Sequence, residues 1–191
     1  MKAGATILTG RLVLRHWHPQ ADGEVFHRLN SDERTMRFFP FRRDRAQSDA
    51  LLTRVGEMIA QDGYGWCAFM LRGEDKVIGF GGLAKVRDLP CTPATEIGWR
   101  LLPEYWRKGY ASEAGSALLA HGFNELGLDE IVSFAVHDNH ASTGVMRRIG
   151  MVAEPDSDFD HPRVPDTHPE LKRHAFYRIT REQWLSRQAA G

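Results

Sequence analysis

A mixed α/β (α+β) fold with a mostly antiparallel sheet is predicted by three observations. WCAFMLR, KVIGFGGLAKV and ATEIGWRLL are strand-like runs separated by short turn-forming segments, which reads as an antiparallel meander. The third run leads through PEYWRKGY into a segment with Ala, Glu and Leu at helical spacing, from Ala111 onward. Beyond that helix EIVSFAV is apolar enough for a buried strand, and the helical crossover makes it parallel to the strand before the turn.

The remaining elements follow in chain order. RLVLRHW alternates Leu12 and Leu14 against Val13 and Arg15, a first strand beginning after Gly10. Pro19 and Asp22 mark the start of a helix whose apolar face is Val25, Phe26 and Leu29, with Asn30 and Ser31 at its end. MRFFPFRRDR is a connector broken by Pro40. From Gln47 to Ala60, Leu51, Leu52, Val55, Met58 and Ile59 repeat at three and four, and Gly63 and Gly65 end this second helix. The helix after the turn is expected over Ala111–Leu126 with Gly127 as its stop. HDNHASTGVMRRIG holds a short helix ending at Gly150, and MVAEPDSDFDHPRVPDTHPE, with four prolines and many charges, reads as the least ordered stretch. LKRHAFYRIT closes the sheet, and the residues from REQW onward read as a tail.

A chain of 191 residues fits one domain, with a core over about residues 11–184. Twenty-five Lys and Arg balance 25 Asp and Glu, so no global positive field exists to hold nucleic acid or an anionic membrane. Cys67 and Cys91 form neither a metal pattern nor a disulfide framework, the N-terminus does not resemble a signal peptide, and no apolar run reaches about 20 residues. A reduced, soluble, cytoplasmic protein is expected. The nine histidines lack a partnered metal pattern, so no metal is expected.

The chemistry concentrates between Trp106 and Ser112. Arg107 and Lys108 are cationic, Gly109 lets backbone approach a ligand, and no Asp or Glu lies between Tyr105 and Ser112. Amides at a helix N-terminus, free of negative neighbours, suit a phosphate or diphosphate. The P-loop pattern is absent. Gly79, Gly81 and Ala84 in VIGFGGLAK nearly imitate a dinucleotide fingerprint, but the proline-rich KVRDLPCTP follows where a helix is required. Those glycines are better read as permitting close packing in a strand.

PEYWRKGYASEA, followed by GLDEIVSFAVHDNHASTGVMRRIGM, resembles the GCN5-related N-acetyltransferases (GNAT), and within them the ribosomal-protein-alanine branch of RimJ/RimL type. The resemblance runs from TGRLVLRHW to FYRITREQW and implies a sheet of about seven strands splayed at its centre, with about four helices. It implies acetyl-coenzyme A as donor. Its diphosphate would lie on the turn of Arg107, Lys108, Gly109, Tyr110, Ala111 and Ser112, and its pantetheine arm against Trp99, Leu101 and Asn139. Arg107 stands where a glycine is more common. Glu96 is the expected general base, since it lies on the strand entering the turn between apolar neighbours. No tyrosine lies between Gly127 and Gly150, so Ser142 is the expected acid through its match to a family serine. Phe38 and Phe39, beside Arg42, Arg43 and Arg45, would border the acceptor, which then carries negative charge.

The function expected is transfer of acetyl to a primary amine, a small molecule or a protein N-terminus, by direct attack, with the protein a monomer or homodimer. A catalytically silent acyl-coenzyme A binding or sensing module is the alternative, and the missing tyrosine favours it.

Overall fold

Leu12 and Leu14 are fully buried and Val13 and Arg15 are not, as alternation in LVLR demands of a strand with one covered face. In the computed structural model, which describes residues 6–190, this strand (β2, Leu12–Arg15) pairs antiparallel with β1 (Ile7–Leu8) on one side and β3 (Trp66–Leu71) on the other. The first helix, α1 (Pro19–Ser31), starts at its proline and buries Phe26 and Leu29. Asp22 does more than open it. The carboxylate is buried against Arg15, 2.6 Å from Nη1, and accepts the backbone N–H of His18 (2.8 Å), tying α1 to β2.

The second helix, α2 (Arg45–Asp62), is longer than the apolar repeat alone indicates, because Asp44 and Gln47 form a reciprocal capping box and Gly63 ends it at φ +79°. The meander is β3, β4 (Val77–Val86) and β5 (Ala94–Leu101), all antiparallel. A Cβ on Gly81 would stand 2.5 Å from the Gly98 carbonyl oxygen and from the Phe69 ring, and the strand continues to Val86. The glycines of VIGFGGLAK therefore serve close packing within a strand, and no helix follows them.

After the turn come α3 (Tyr110–Asn124), stopped by Gly127 at φ +70°, and β6 (Glu130–Val136), parallel to β5. The short helix is α4 (His140–Arg148). The sheet is completed by β7 (Val152–Ala153), β8 (Phe159–Asp160) and β9 (Arg173–Thr180), giving the order β1-β2-β3-β4-β5-β6-β9-β7 with β8 also on β9. The fold is thus a mixed, mostly antiparallel sheet. Nine strands stand where about seven are expected, and three of the nine, β1, β7 and β8, are two residues long.

Two expectations are corrected. The stretch after Gly150 is ordered: Phe159 and Leu171 are buried, the Asp158 carboxylate accepts the backbone N–H of Phe176 (2.8 Å), and Arg178 meets both Glu130 and Glu154. Several of its charges are paired, Glu154 with Arg178, Arg163 with Asp88 and Asp160 with Arg173. The C-terminal segment is a fifth helix, α5 (Arg181–Ala190), which buries Trp184 with its ring 5.4 Å from that of Phe123. No helix among the described residues is long and apolar enough to cross a membrane.

Candidate active site

Strands β5 and β6 share a single register pair, Glu96 with Val132, and are pinned next to it by the Ser133 hydroxyl donating to the Ile97 carbonyl (2.8 Å). By contrast β4 and β5 share eight pairs and β6 and β9 seven. Beyond Glu96 the two parallel strands therefore part, and the cleft between them opens toward the turn that starts α3.

That turn has an unusual backbone. Arg107 lies at φ +59°, a left-handed conformation that glycine adopts without steric cost, and Gly109, the residue before α3, lies at φ +83°. Trp106 N–H donates to the Pro103 carbonyl and Glu113 N–H to that of Gly109; among the described residues the six amides between, 107–112, find no backbone acceptor. A diphosphate would satisfy them, and a Cβ on Gly109 would stand 3.2 Å from the Arg11 guanidinium. The turn thus fits the diphosphate of a coenzyme A.

The turn is braced from the far end of the chain. Glu113 accepts from Thr9 Oγ1 (2.6 Å), from Arg11 N–H (2.7 Å) and from Arg11 Nε (2.7 Å), while Arg11 Nη1 donates to the Lys108 carbonyl (2.9 Å) and its guanidinium lies 4.6 Å from the Tyr110 ring. Burial works to raise the Glu113 pKa, but the hydrogen bonds from Thr9 and Arg11 outweigh it and hold the carboxyl below its ordinary range. The one acid in the first helical turn is thereby neutralised locally.

Glu96 sits where the strands part. It is half-buried, and its Oε1 leans along the strand to within 3.5 Å of where a Gly98 Cβ would be, a place that also brings Trp66 onto β5. Among the described residues nothing donates a hydrogen bond to the carboxylate. Burial pushes its pKa up to about 8, opposed only by the positive charge of Arg163. A carboxyl poised near 8 is suited to exchanging protons with an amine.

On the opposite face of β5, Trp99 packs toward Gly115 of α3, and Leu101 is buried with its carbonyl accepting from Trp106 Nε1 (2.8 Å). At the end of β6, Asn139 caps α4, its side chain accepting from Ser142 N–H (3.2 Å); Nδ2 remains to meet a ligand. Ser142 is half-buried, and Arg148 Nε donates to Ser112 Oγ (3.1 Å), joining α4 to the turn. Of the two phenylalanines expected at the acceptor side, Phe39 joins the Glu96 face through Arg100, whose guanidinium is 4.4 Å from its ring. Phe38 does not; it stacks with Arg37. Trp66, Arg100 and the Arg11–Glu113 clamp escaped the sequence reading. Trp66 alone left a signal there, its place in the strand-like run WCAFML, where the two-residue period of a strand puts it on one face with Ala68.

The sheet is splayed, the turn before α3 presents amides without backbone acceptors, and a carboxylate lies at the parting point. A family model described as an acetyltransferase (GNAT) domain matches residues 11–152. The chain belongs to the GNAT acetyltransferase family. Among its GNAT relatives is a protein named FsC-acetyl coenzyme A-N(2)-transacetylase from Aspergillus fumigatus, 30% identical over 202 residues, 98% of this chain and 81% of that one. Another is an uncharacterised N-acetyltransferase, YnaD, from Bacillus subtilis, 30% identical over 93% of this chain and 98% of that one. A solved GNAT acetyltransferase from Bacillus anthracis superposes with TM-score 0.76 at 28% identity, covering 93% of this chain and 99% of that one. The protein is therefore an acyltransferase enzyme. GNAT acetyltransferases use acetyl-coenzyme A, and among the described residues no group of three or more His, Cys, Asp or Glu is placed to hold a metal ion.

Proposed function

We propose that this enzyme transfers the acetyl group of acetyl-coenzyme A to a primary amine by direct attack on the thioester. The observation that carries the reading is the juxtaposition of an unpartnered Glu96 carboxyl with the parting of β5 and β6, at the far end of which lie the free amides 107–112. The Aspergillus relative's name supports it, since it specifies acetyl coenzyme A and a nitrogen.

The roles follow from position. Amides 107–112 and the side chains of Arg107 and Lys108 bind the diphosphate; Trp99, Leu101 and Asn139 line the path of the pantetheine arm. Glu96 removes a proton from the acceptor ammonium, the neutral nitrogen attacks the thioester carbonyl, and Ser142 donates a proton to the departing thiolate. Orientation along the cleft supplies the larger share of the acceleration, since no covalent enzyme intermediate is needed.

The ribosomal-protein-alanine branch rests on the motif PEYWRKGYASEA; the solved ribosomal-protein acetyltransferases from Vibrio cholerae and Vibrio fischeri are 18% and 16% identical, a likeness of fold alone. A silent acyl-coenzyme A sensor is the second reading, favoured by the lack of a tyrosine between Gly127 and Gly150.

Thiol release from acetyl-coenzyme A with a panel of amines separates the two. The enzyme reading expects release that rises with pH through about 8, as Glu96 loses its proton, and a drop of about 100-fold or more in Glu96→Gln with that pH limb lost. Gly109→Glu, which puts a side chain and a negative charge in the turn, abolishes both turnover and the thermal shift with acetyl-coenzyme A. Binding of acetyl-coenzyme A with no release for any amine is the sensor's result.

A further inference from the structure

Glu96, Gly98 and Arg100 share one face of β5, and among the described residues Arg100 forms no ion pair. Its Nη1 donates to Asn30 Oδ1 (2.7 Å), and its guanidinium lies 4.4 Å from the Phe39 ring and 5.1 Å from that of Phe80. Phe39 stands 6.2 Å from Phe41, and the guanidinium of Arg43 is 4.4 Å from Phe41. Asn30 links the same two arginines from the other side, because its carbonyl accepts the backbone N–H of Arg43 (2.9 Å). This alternation of cation and ring leads from the sheet into an open groove beside α2 lined by Phe41, Arg42, Arg43, Gln47, Ala50 and Arg54.

The groove is rich in positive charge that the protein neutralises only in part. Arg42 meets Glu33 at 3.2 Å, and Arg45, on the first turn of α2, is held by Glu24 and Asp49. Among the described residues no carboxylate lies within ion-pair distance of Arg43, Arg54 or Arg100. Burial, and then the charge of Arg43, push Arg100 down to about 9; burial and then Arg54 lower Arg43. Half-buried cations that repel one another are costly unless an anion arrives to pair with them. The rings lie against Arg100, and the in-plane N–H groups that Asn30 does not take are of the kind a planar carboxylate accepts in pairs.

We infer that the acceptor is an amine bearing a carboxylate several bonds from its nitrogen, and that Arg100 and Arg43 receive that carboxylate while the nitrogen sits at Glu96. The amine half rests on the function proposed above; the carboxylate half does not. Four residues along a strand separate the α-carbons of Glu96 and Arg100 by roughly 13 Å, and Arg43 lies further on, past Phe39 and Phe41, so the two charges of the acceptor are best met when several bonds part them. An ω-amino acid, or a peptide with Asp or Glu near its N-terminus, is long enough.

The test uses the full chain, acetyl-coenzyme A and matched amine pairs: 5-aminopentanoate with pentylamine, and Ala-Glu-Ala amide with Ala-Gln-Ala amide. The carboxylate member of at least one pair is expected to show kcat/KM about tenfold higher or more, carried by KM, and the pair that responds tells a small acceptor from a peptide. In Arg100→Gln, and separately in the more peripheral Arg43→Gln, the ratio falls toward one while the thermal shift with acetyl-coenzyme A persists. Equal kcat/KM within both pairs, or ratios that survive both substitutions, overturn the inference. If no amine supports thiol release, the transferase reading fails and the anion site is judged by glutarate. A thermal shift in wild type that is lost in Arg100→Gln upholds the anion site, and no shift removes it.

Discussion

Glu96→Gln should stabilise the protein at alkaline pH, and by an amount that can be worked from the structure. The carboxyl titrates near 4.5 when unfolded and is pushed to about 8 by burial in the folded chain. A raised folded value means the folded state holds the proton more tightly, so the contribution is fully present below about 4.5 and is lost as pH rises through 8. At about 1.4 kcal/mol per pH unit, the interval sets a ceiling of roughly 5 kcal/mol. Glu96 is only half-buried, so water at the cleft mouth screens it, and roughly 2 kcal/mol is the working figure. Glutamine keeps the shape and never ionises. Thermal unfolding of wild type and Glu96→Gln at pH 5 and pH 9 checks this. The substitution should change Tm little at pH 5 and raise it by about 4–8 °C at pH 9, the shift 2 kcal/mol gives in a chain of this length. A Tm difference of equal size at both pH values, or a less stable variant at pH 9, would refute the claim that Glu96 is held in a charge-averse place. Combined with loss of turnover, the expected result shows a residue retained for chemistry at the expense of stability.

Three further outcomes follow from named contacts. Glu113→Ala removes three hydrogen bonds that fix Thr9 and Arg11 against the turn, so calorimetry should show acetyl-coenzyme A binding about tenfold weaker or more, at about 1–3 kcal/mol for the broken network. Ser142→Ala should lower kcat about 10- to 100-fold with little change in KM for the donor, because the cap of α4 uses the Ser142 backbone N–H and survives; an unchanged kcat in steady-state assays would assign the proton donor to water. Trp184→Ala, which empties the contact of α5 with Phe123, should cost about 3–5 kcal/mol in denaturant unfolding.

What the sequence disclosed was local or periodic. The run from Glu96 to Gly115 displayed its strand, its glycine-containing turn and its helix because each depends on neighbours in sequence: alternation, a glycine, a helical repeat. The parallel course of β6 was legible for a similar reason, since a helix between two strands leaves little choice. The end of the chain was misread although it carried its own signal. Thr180 and Gln183 bracket the start of α5 in a T-x-x-Q pattern, and each side chain bonds the other's backbone N–H. The helix was overlooked because no glycine or proline separates it from β9. The order of residues 154–172 was beyond local reading: Asp158 pairs with a backbone amide 18 residues away, and Arg163 with Asp88. The clamp of Arg11 on Glu113 spans 102 residues, and no spacing rule reaches that far.

The position of the site follows from how the sheet is joined. Two well-paired halves, β4 with β5 and β6 with β9, meet through one registered pair and the Ser133 hydroxyl. Right-handed twist drives the halves apart beyond that point, because no ladder resists it. The residue at the junction therefore points its side chain beside a gap in the backbone hydrogen bonding. It is enclosed by Trp66 yet lacks donors, which is the environment that raises a carboxyl's pKa. The same gap leaves strand edges with unused backbone groups for the amides of a pantetheine arm. The cleft and the raised pKa of Glu96 are thus two consequences of a single weak junction. Side chains that lengthened the β5–β6 pairing would be expected to remove both at once.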